Sequence, residues 1–242
     1  MNPPALGLAI ALIGAGLATP AAAEPVDLEL VLAADGSGSI DEVEMRLQRD
    51  GYAAAITDPA VLSTIRSGFL GAIAVAYVEW GGAGSQHIIV DWTIVRDAAS
   101  AEAFAEAVRR RPRRAVGYNS ISGAIDFAAA MIRDNDHDGT RKIIDVSGDA
   151  GQFGGRPLFL SRNEAVADGI TINALAITSR GGRGRAGLTG GLTLEDHYRQ
   201  AVIGGPGAFV ITADEDRSFA EAVLQKLILE IAETPDRPAA PG

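Results

Sequence analysis

The sequence predicts a three-layer α/β fold, a doubly wound and mostly parallel sheet with one antiparallel edge strand and helices on both faces. Three observations predict it. Apolar strand-like runs alternate with segments of helical period along most of the chain, a pattern that argues for parallel strands sandwiched by helices. Residues 71–80 are apolar nearly throughout (Ile73, Val75, Tyr77, Val78), as a strand covered on both faces must be, and belong in the sheet's centre. The glycine-rich 81–85 then leads directly into a second strand-like run, 86–95. So short a connection joins antiparallel neighbours, which places 86–95 at an edge.

Taken in order, the chain opens on a short polar start and an apolar run over 6–17, followed by Pro20 and the small-residue site Ala21-Ala22-Ala23. This reads as an export signal, residues 1–23, cleaved after Ala23. The run is too short to span a bilayer, which takes about 20 residues, and no Lys or Arg precedes it. The mature chain is expected in the periplasm or secreted, with no transmembrane span. Its body, 24–232, has the length of one α/β domain.

The first strand, 26–34, precedes a helix over 41–56. Helices follow the hairpin at 100–110 and 120–132, the second with Ile121, Ile125, Ala128 and Ile132 on one face. Then come a strand at 142–146, a helix at 163–168, a strand at 170–177, a helix at 194–202, a strand at 208–211 and a helix at 219–231. A glycine- and arginine-rich loop spans 181–191, and the proline-containing tail 233–242 reads as disordered.

Composition excludes several functions. The chain has no cysteine, hence no disulfide, thiolate zinc site or cysteine nucleophile. A formal charge of −10 argues against nucleic acid, which requires a basic surface. The one basic cluster, Arg109-Arg110-Arg111-Pro112-Arg113-Arg114, closes a predicted helix, where cations suit the dipole. An anionic partner or lipid headgroup is the sharper reading of it.

The most informative run is Asp35-Gly36-Ser37-Gly38-Ser39, one carboxylate and two hydroxyls at alternate positions just after the first strand. Hard divalent ions take oxygen ligands, and magnesium keeps several waters, so this small set suffices. Ser39 also fits a helix cap, since Ser39-Ile40-Asp41-Glu42 matches the capping-box pattern. In open α/β sheets, however, ligands bind beyond the carboxyl ends of strands, where this run lies.

The D-x-S-x-S run resembles the first metal-binding loop of von Willebrand factor A domains, and the element order resembles that fold over the whole mature chain. The resemblance implies a metal-ion-dependent adhesion site (MIDAS) holding a divalent cation, Mg2+ first and Mn2+ or Ca2+ as alternatives. It further implies two more site loops. In Gly117-Tyr118-Asn119-Ser120-Ile121-Ser122-Gly123-Ala124-Ile125, Asn119 stands where the family usually places a threonine; Ser120 is the second choice. In Ser147-Gly148-Asp149-Ala150, Asp149 corresponds to the family's strand-ending aspartate. The implied metal set is Asp35, Ser37, Ser39, Asn119 and Asp149, and the implied partner is a protein offering a carboxylate. Four segments (77–80, 120–126, 144–149 and 202–209) are similar to an uncharacterised exported bacterial subfamily. Tyr77 and Trp80 are read as packing residues.

Other motifs carry less. Asp134-Asn135-Asp136-His137-Asp138-Gly139 matches the start of a calcium loop, with Asp145 at the closing position, but a strand follows where a helix should. Gly182-Arg183-Gly184-Arg185-Ala186-Gly187 spells a dinucleotide fingerprint without its strand-and-helix context. A metal-dependent phosphohydrolase is the alternative, weakened because Ser37 stands where a second aspartate would act as acid and because His87, His137 and His197 lie far from the three loops in sequence. An envelope component with a vestigial ion site is a third reading, and a role beside a ring ATPase ranks last. No catalytic residue is assigned.

Overall fold

The computed structural model describes residues 23–178, 188, 191–214 and 216–232. The expected export signal up to residue 22, most of the 181–191 loop and the 233–242 tail lie outside the described residues. The elements are β1 (Glu24–Asp35), α1 (Glu42–Thr57), α2 (Pro59–Ser67), β2 (Ile73–Trp80), β3 (Gln86–Val95), α3 (Ala98–Arg110), α4 (Ile121–Arg133), β4 (His137–Gly148), α5 (Leu158–Ala167), β5 (Thr171–Ile177), α6 (Leu194–His197) with a π-helical turn Tyr198–Val202, β6 (Val210–Ala213) and α7 (Phe219–Ile231).

Six strands form one sheet in the order β3-β2-β1-β4-β5-β6. All neighbours are parallel except β2 and β3. The antiparallel edge is therefore as the short 81–85 connection requires. β2 lies one strand from that edge rather than at the centre; it is nonetheless buried along its whole length, because helices cover both faces there. The central pair is β1 and β4.

Side-chain alternation divides the core in two. Leu28, Leu30, Leu32 and Ala34 of β1 face a cluster with Tyr52 of α1, Val61 of α2, Phe104 of α3 and Leu227 of α7. Val31 and Ala33 face the other cluster, with Ile125 of α4 and Ala165 of α5. Successive residues of a strand point to opposite faces, so one apolar run supplies both layers.

Several boundaries differ from expectation. α2 follows α1 at once, with Asp58 as N-cap and Pro59 at its first position, a start signal overlooked in the sequence. β4 begins at His137, five residues early, because it pairs with β1 from Glu24 onward. α1 is capped by Asp41, whose Oδ1 accepts from the Val43 and Glu44 amides at 2.7 and 2.9 Å while Glu44 Oε2 accepts from the Asp41 amide at 2.9 Å. The capping box is thus Asp41–Glu44, and Ser39 is free of that duty.

Candidate metal centre

The chain order reverses between β1 and β4: β1 is followed by β2 on one side, and the chain returns to β4 on the other. Such a switch point opens a crevice at the strands' carboxyl ends. Asp35 ends β1 and Asp149 follows β4, so the two carboxylates face one another across it.

All five expected residues meet there. The Ser37 amide donates to Asp35 Oδ1 at 2.7 Å, closing a tight turn that sets both side chains. Ser37 Oγ lies 2.9 Å from Ser39 Oγ, and Ser39 Oγ donates to Asp149 Oδ1 at 3.0 Å. Asn119 Nδ2 reaches the same Asp149 oxygen at 3.5 Å, and the Asp149 amide donates to Asp35 Oδ2 at 3.4 Å. Asp35, Ser37 and Asn119 are buried, Asp149 lies at the margin, and Ser39 is exposed, so the cluster opens to solvent at Ser39. Ser120 is spent elsewhere: it is the N-cap of α4, its Oγ accepting from the Gly123 amide at 3.3 Å. That leaves Asn119 as the second loop's donor.

The three loops are fastened by backbone bonds. Gly36 N donates to Trp80 O at 2.7 Å, Gly38 N to Gly117 O at 2.8 Å and Phe153 N to Asn119 O at 2.6 Å. Arg113 donates to the carbonyls of Ile40, Gly36 and Ser37 at 2.7, 2.7 and 2.6 Å, holding the first loop from behind. Gln48 Nε2 reaches Asp35 O at 3.3 Å. Arg113 and Gln48 carry no short-range sequence signal for this role, since each is far from the loop it holds.

The floor is aromatic. Trp80 is fully buried, its Nε1 donating to Ala33 O at 3.0 Å, and Tyr198 Oη donates to Ala150 O at 3.0 Å. A Cβ on Gly148 would come 2.5 Å from Tyr198 Oη and 3.2 Å from Asp35 Oδ2. Only a glycine lets β4 pass this floor. Tyr77 packs edge-on against Tyr52, 5.5 Å between ring centres, as a core residue. At the mouth, Tyr118 and Phe153 are 67% and 63% exposed and meet edge to face at 6.1 Å.

Electrostatically the cluster holds two acids, and among the described residues no cationic side chain bonds to either of them. Burial and the neighbouring Asp149 charge push the Asp35 carboxyl up to about 7, against the pull of hydrogen bonds from Ser37 and Asp149. Burial, then Asp35 and Asp149, push the Tyr198 hydroxyl well above its ordinary value. Among the described residues no group of three or more His, Cys, Asp or Glu is arranged for a metal. The candidate donors are two carboxylates, two hydroxyls and an amide, a set that fits a hard, partly hydrated ion.

The other sequence motifs separate from this site. Asp145 is buried in the sheet with Lys226 Nζ 2.7 Å from its Oδ1, so it is held away from the 134–139 turn whose calcium loop it would close. Asn135 of that turn donates to Glu29 Oε2 at 2.7 Å and accepts from the His137 amide at 2.7 Å. The G-x-G-x-x-G run lies outside the described residues.

A doubly wound sheet with one antiparallel edge and three loops gathered at its switch point is the fold seen in von Willebrand factor A domains. Solved structures of similar fold include the pilus adhesin SpaC of Lactobacillus rhamnosus GG, 16% identical with a TM-score of 0.57, covering 86% of this chain and 30% of that one. Proximal thread matrix protein 1 of the mussel byssus, with a zinc-occupied MIDAS motif, is 17% identical with a TM-score of 0.57 over 86% of this chain and 48% of that one. The SpRpn10 VWA domain is 12% identical with a TM-score of 0.57 over 87% and 99%. At these identities the likeness is one of fold, and the chain spans less than half the length of the first two. Residues 25–235 match the family described as "Protein of unknown function (DUF1194)", and the chain belongs to it. No curated protein matches significantly.

Proposed function

We propose that this chain is an exported, divalent-cation-dependent binding module, in which Ser37 and Ser39, with Asp35, Asn119 and Asp149 directly or through water, hold Mg2+. The observation that carries it is the convergence of five donors from three loops into one cluster linked by contacts of 2.7–3.5 Å. The charge of Asp149 adds to the cost of ionising the buried Asp35, and a cation between them would offset it. A hard cation held by so few carboxylates stays electrophilic and can accept an acidic side chain of a partner protein at a free coordination position.

The chain's residues prepare that event. Arg113 and Gln48 fix the first loop, Trp80 and Tyr198 exclude water from beneath the carboxylates, and Tyr118 with Phe153 gives the mouth an apolar edge on which a partner can pack. Asn119 as placed turns its amide nitrogen to Asp149; flipping the amide offers its carbonyl oxygen instead, the atom a cation takes. The pilus adhesin among the structures of similar fold favours an adhesion-type role over catalysis.

Calorimetric titration with Mg2+, Mn2+ and Ca2+ tests the site. Asp149→Ala is expected to weaken Mg2+ or Mn2+ binding at least tenfold with unchanged circular dichroism; unaltered affinity would remove Asp149 from the set. Partner capture from envelope extract should vanish with chelator and weaken in Tyr118→Ala, whose metal affinity should stay as it was. Cell fractionation, with N-terminal sequencing of the mature chain for a start at Glu24, tests the export.

A further inference from the structure

Beside the first metal loop, between α1 and the segment that follows α3, lies a cavity of about 310 Å3 lined by Glu42, Met45, Arg46, Arg49, Asp50, Arg109 and Arg113. Four guanidinium groups face it against two carboxylates, in a chain whose formal charge is −10. One of them, Arg49, does cap the end of α3, its Nη1 donating to the Arg111 carbonyl, whereas Arg46, Arg109 and Arg113 make no such bond among the described residues. Arg49 is neutralised by Glu79, its Nε donating to Oε1 at 2.8 Å. Arg109 is shared loosely with Asp50 and Glu102, at 3.4 and 3.8 Å. Arg113 spends its Nη1 and Nη2 on carbonyls of the first loop, which are neutral, and makes no ion pair among the described residues. Arg46, exposed on α1, makes no ion pair among the described residues.

We propose that this cavity is a phosphate-type oxyanion site, with Arg46 and Arg109 supplying the mobile donors at its mouth and Arg113 the fixed charge at its inner wall. Planar guanidinium forks match the paired oxygens of such an anion, and arginine loses less than lysine does in being desolvated around it. The volume is at the lower bound of small-molecule sites, enough for one phosphate group and part of what carries it. Because Arg113 also holds the carbonyls of Gly36 and Ser37, the bound anion sits one side chain away from the metal loop. The same chemistry is offered by free phosphate or by the headgroup of an anionic phospholipid.

The test is a thermal-shift and calorimetric titration of the purified protein with inorganic phosphate, in chelator and at ionic strength matched with sodium chloride. The chelator removes any phosphate held through a cation, so the outcome is independent of the metal reading. Phosphate is expected to raise Tm in the wild type and in Asp149→Ala alike, and to bind at least tenfold more weakly in Arg46→Ala/Arg109→Ala. Co-sedimentation with phosphatidylglycerol vesicles, against phosphatidylcholine controls, separates the sources. Vesicle binding that phosphate displaces assigns the headgroup, while a phosphate response without vesicle binding assigns the free anion. No response to phosphate or vesicles beyond the chloride control, or an equal response in the double variant, overturns the site.

Discussion

Asp35 shows how one residue acquires its chemistry from its surroundings. As a sequence symbol it is an acid after a strand; in the fold it is fully buried, faces a second acid and has Gly148 as its only tolerable neighbour on β4. Tyr198 and Trp80 are themselves fully buried and cannot yield, so Gly148→Ala is expected to cost about 1–3 kcal/mol in denaturant unfolding. It should also weaken Mg2+ binding, since the added methyl reaches Asp35. Asn119 is the position where the chain departs from the resemblance. Asn119→Thr replaces a flippable amide by a hydroxyl and is expected to tighten Mg2+ binding, by up to roughly tenfold or about 1.4 kcal/mol, in calorimetry. A weaker or equal affinity would mark the asparagine carbonyl as the better donor here.

At the scale of the element, caps and helix faces decide what each segment can give to the site. The Asp41–Glu44 box starts α1 and so releases Ser39 to the cluster. Asp41→Ala should cost about 1 kcal/mol of stability while leaving metal affinity nearly unchanged; Ser39→Ala should do the reverse. α7 carries a different constraint. Lys226 and Glu230, both fully buried on its inner face, meet Asp145 of β4 and Asn173 of β5, with Tyr52 of α1 nearby. Burial and then Asp145 push the Glu230 carboxyl up to about 7 from an ordinary 4.5, with Lys226 pulling the other way. Between those values the folded state keeps a proton that the unfolded chain has lost, so stability falls as pH rises from about 4.5 to 7. The effect is on the order of 3 kcal/mol for a shift of this size. Glu230→Gln should flatten the slope of Tm against pH over that window. Asp35, also raised to about 7, has the same sign, so part of the slope should remain.

For the whole molecule, the proposed cation site, shared by three loops, would link binding to folding. Saturating Mg2+ at about 100 times its Kd is expected to stabilise the fold by about 2.7 kcal/mol, seen as a rise in Tm that chelator reverses. A Tm indifferent to Mg2+, Mn2+ and Ca2+ would count against the site. Much of this architecture was legible in residue order. The buried apolar run at 71–80, the short 81–85 connection and the alternation of periods define a doubly wound sheet with an antiparallel edge, because strand burial and loop length are local constraints. Asp35, Ser37 and Ser39 were legible because one turn contains them. Less was legible where a role depends on distant neighbours. The centrality expected of β2 mistook coverage by helices for position in the sheet, and Ser39 could be freed from capping only once Asp41 was seen to do it. Arg113, Gln48 and Tyr198 reach the site from positions remote in sequence, and the cavity beside Arg46 exists only where α1 passes the end of α3. The sequence alone therefore determined the class of fold and the donor types of each loop, since periodicity and side-chain chemistry are properties of short segments. Tertiary structure alone decided that the five donors share one space, that two acids oppose each other there, and that glycine at 148 is obligatory, because distance between remote segments is set by packing and has no local code.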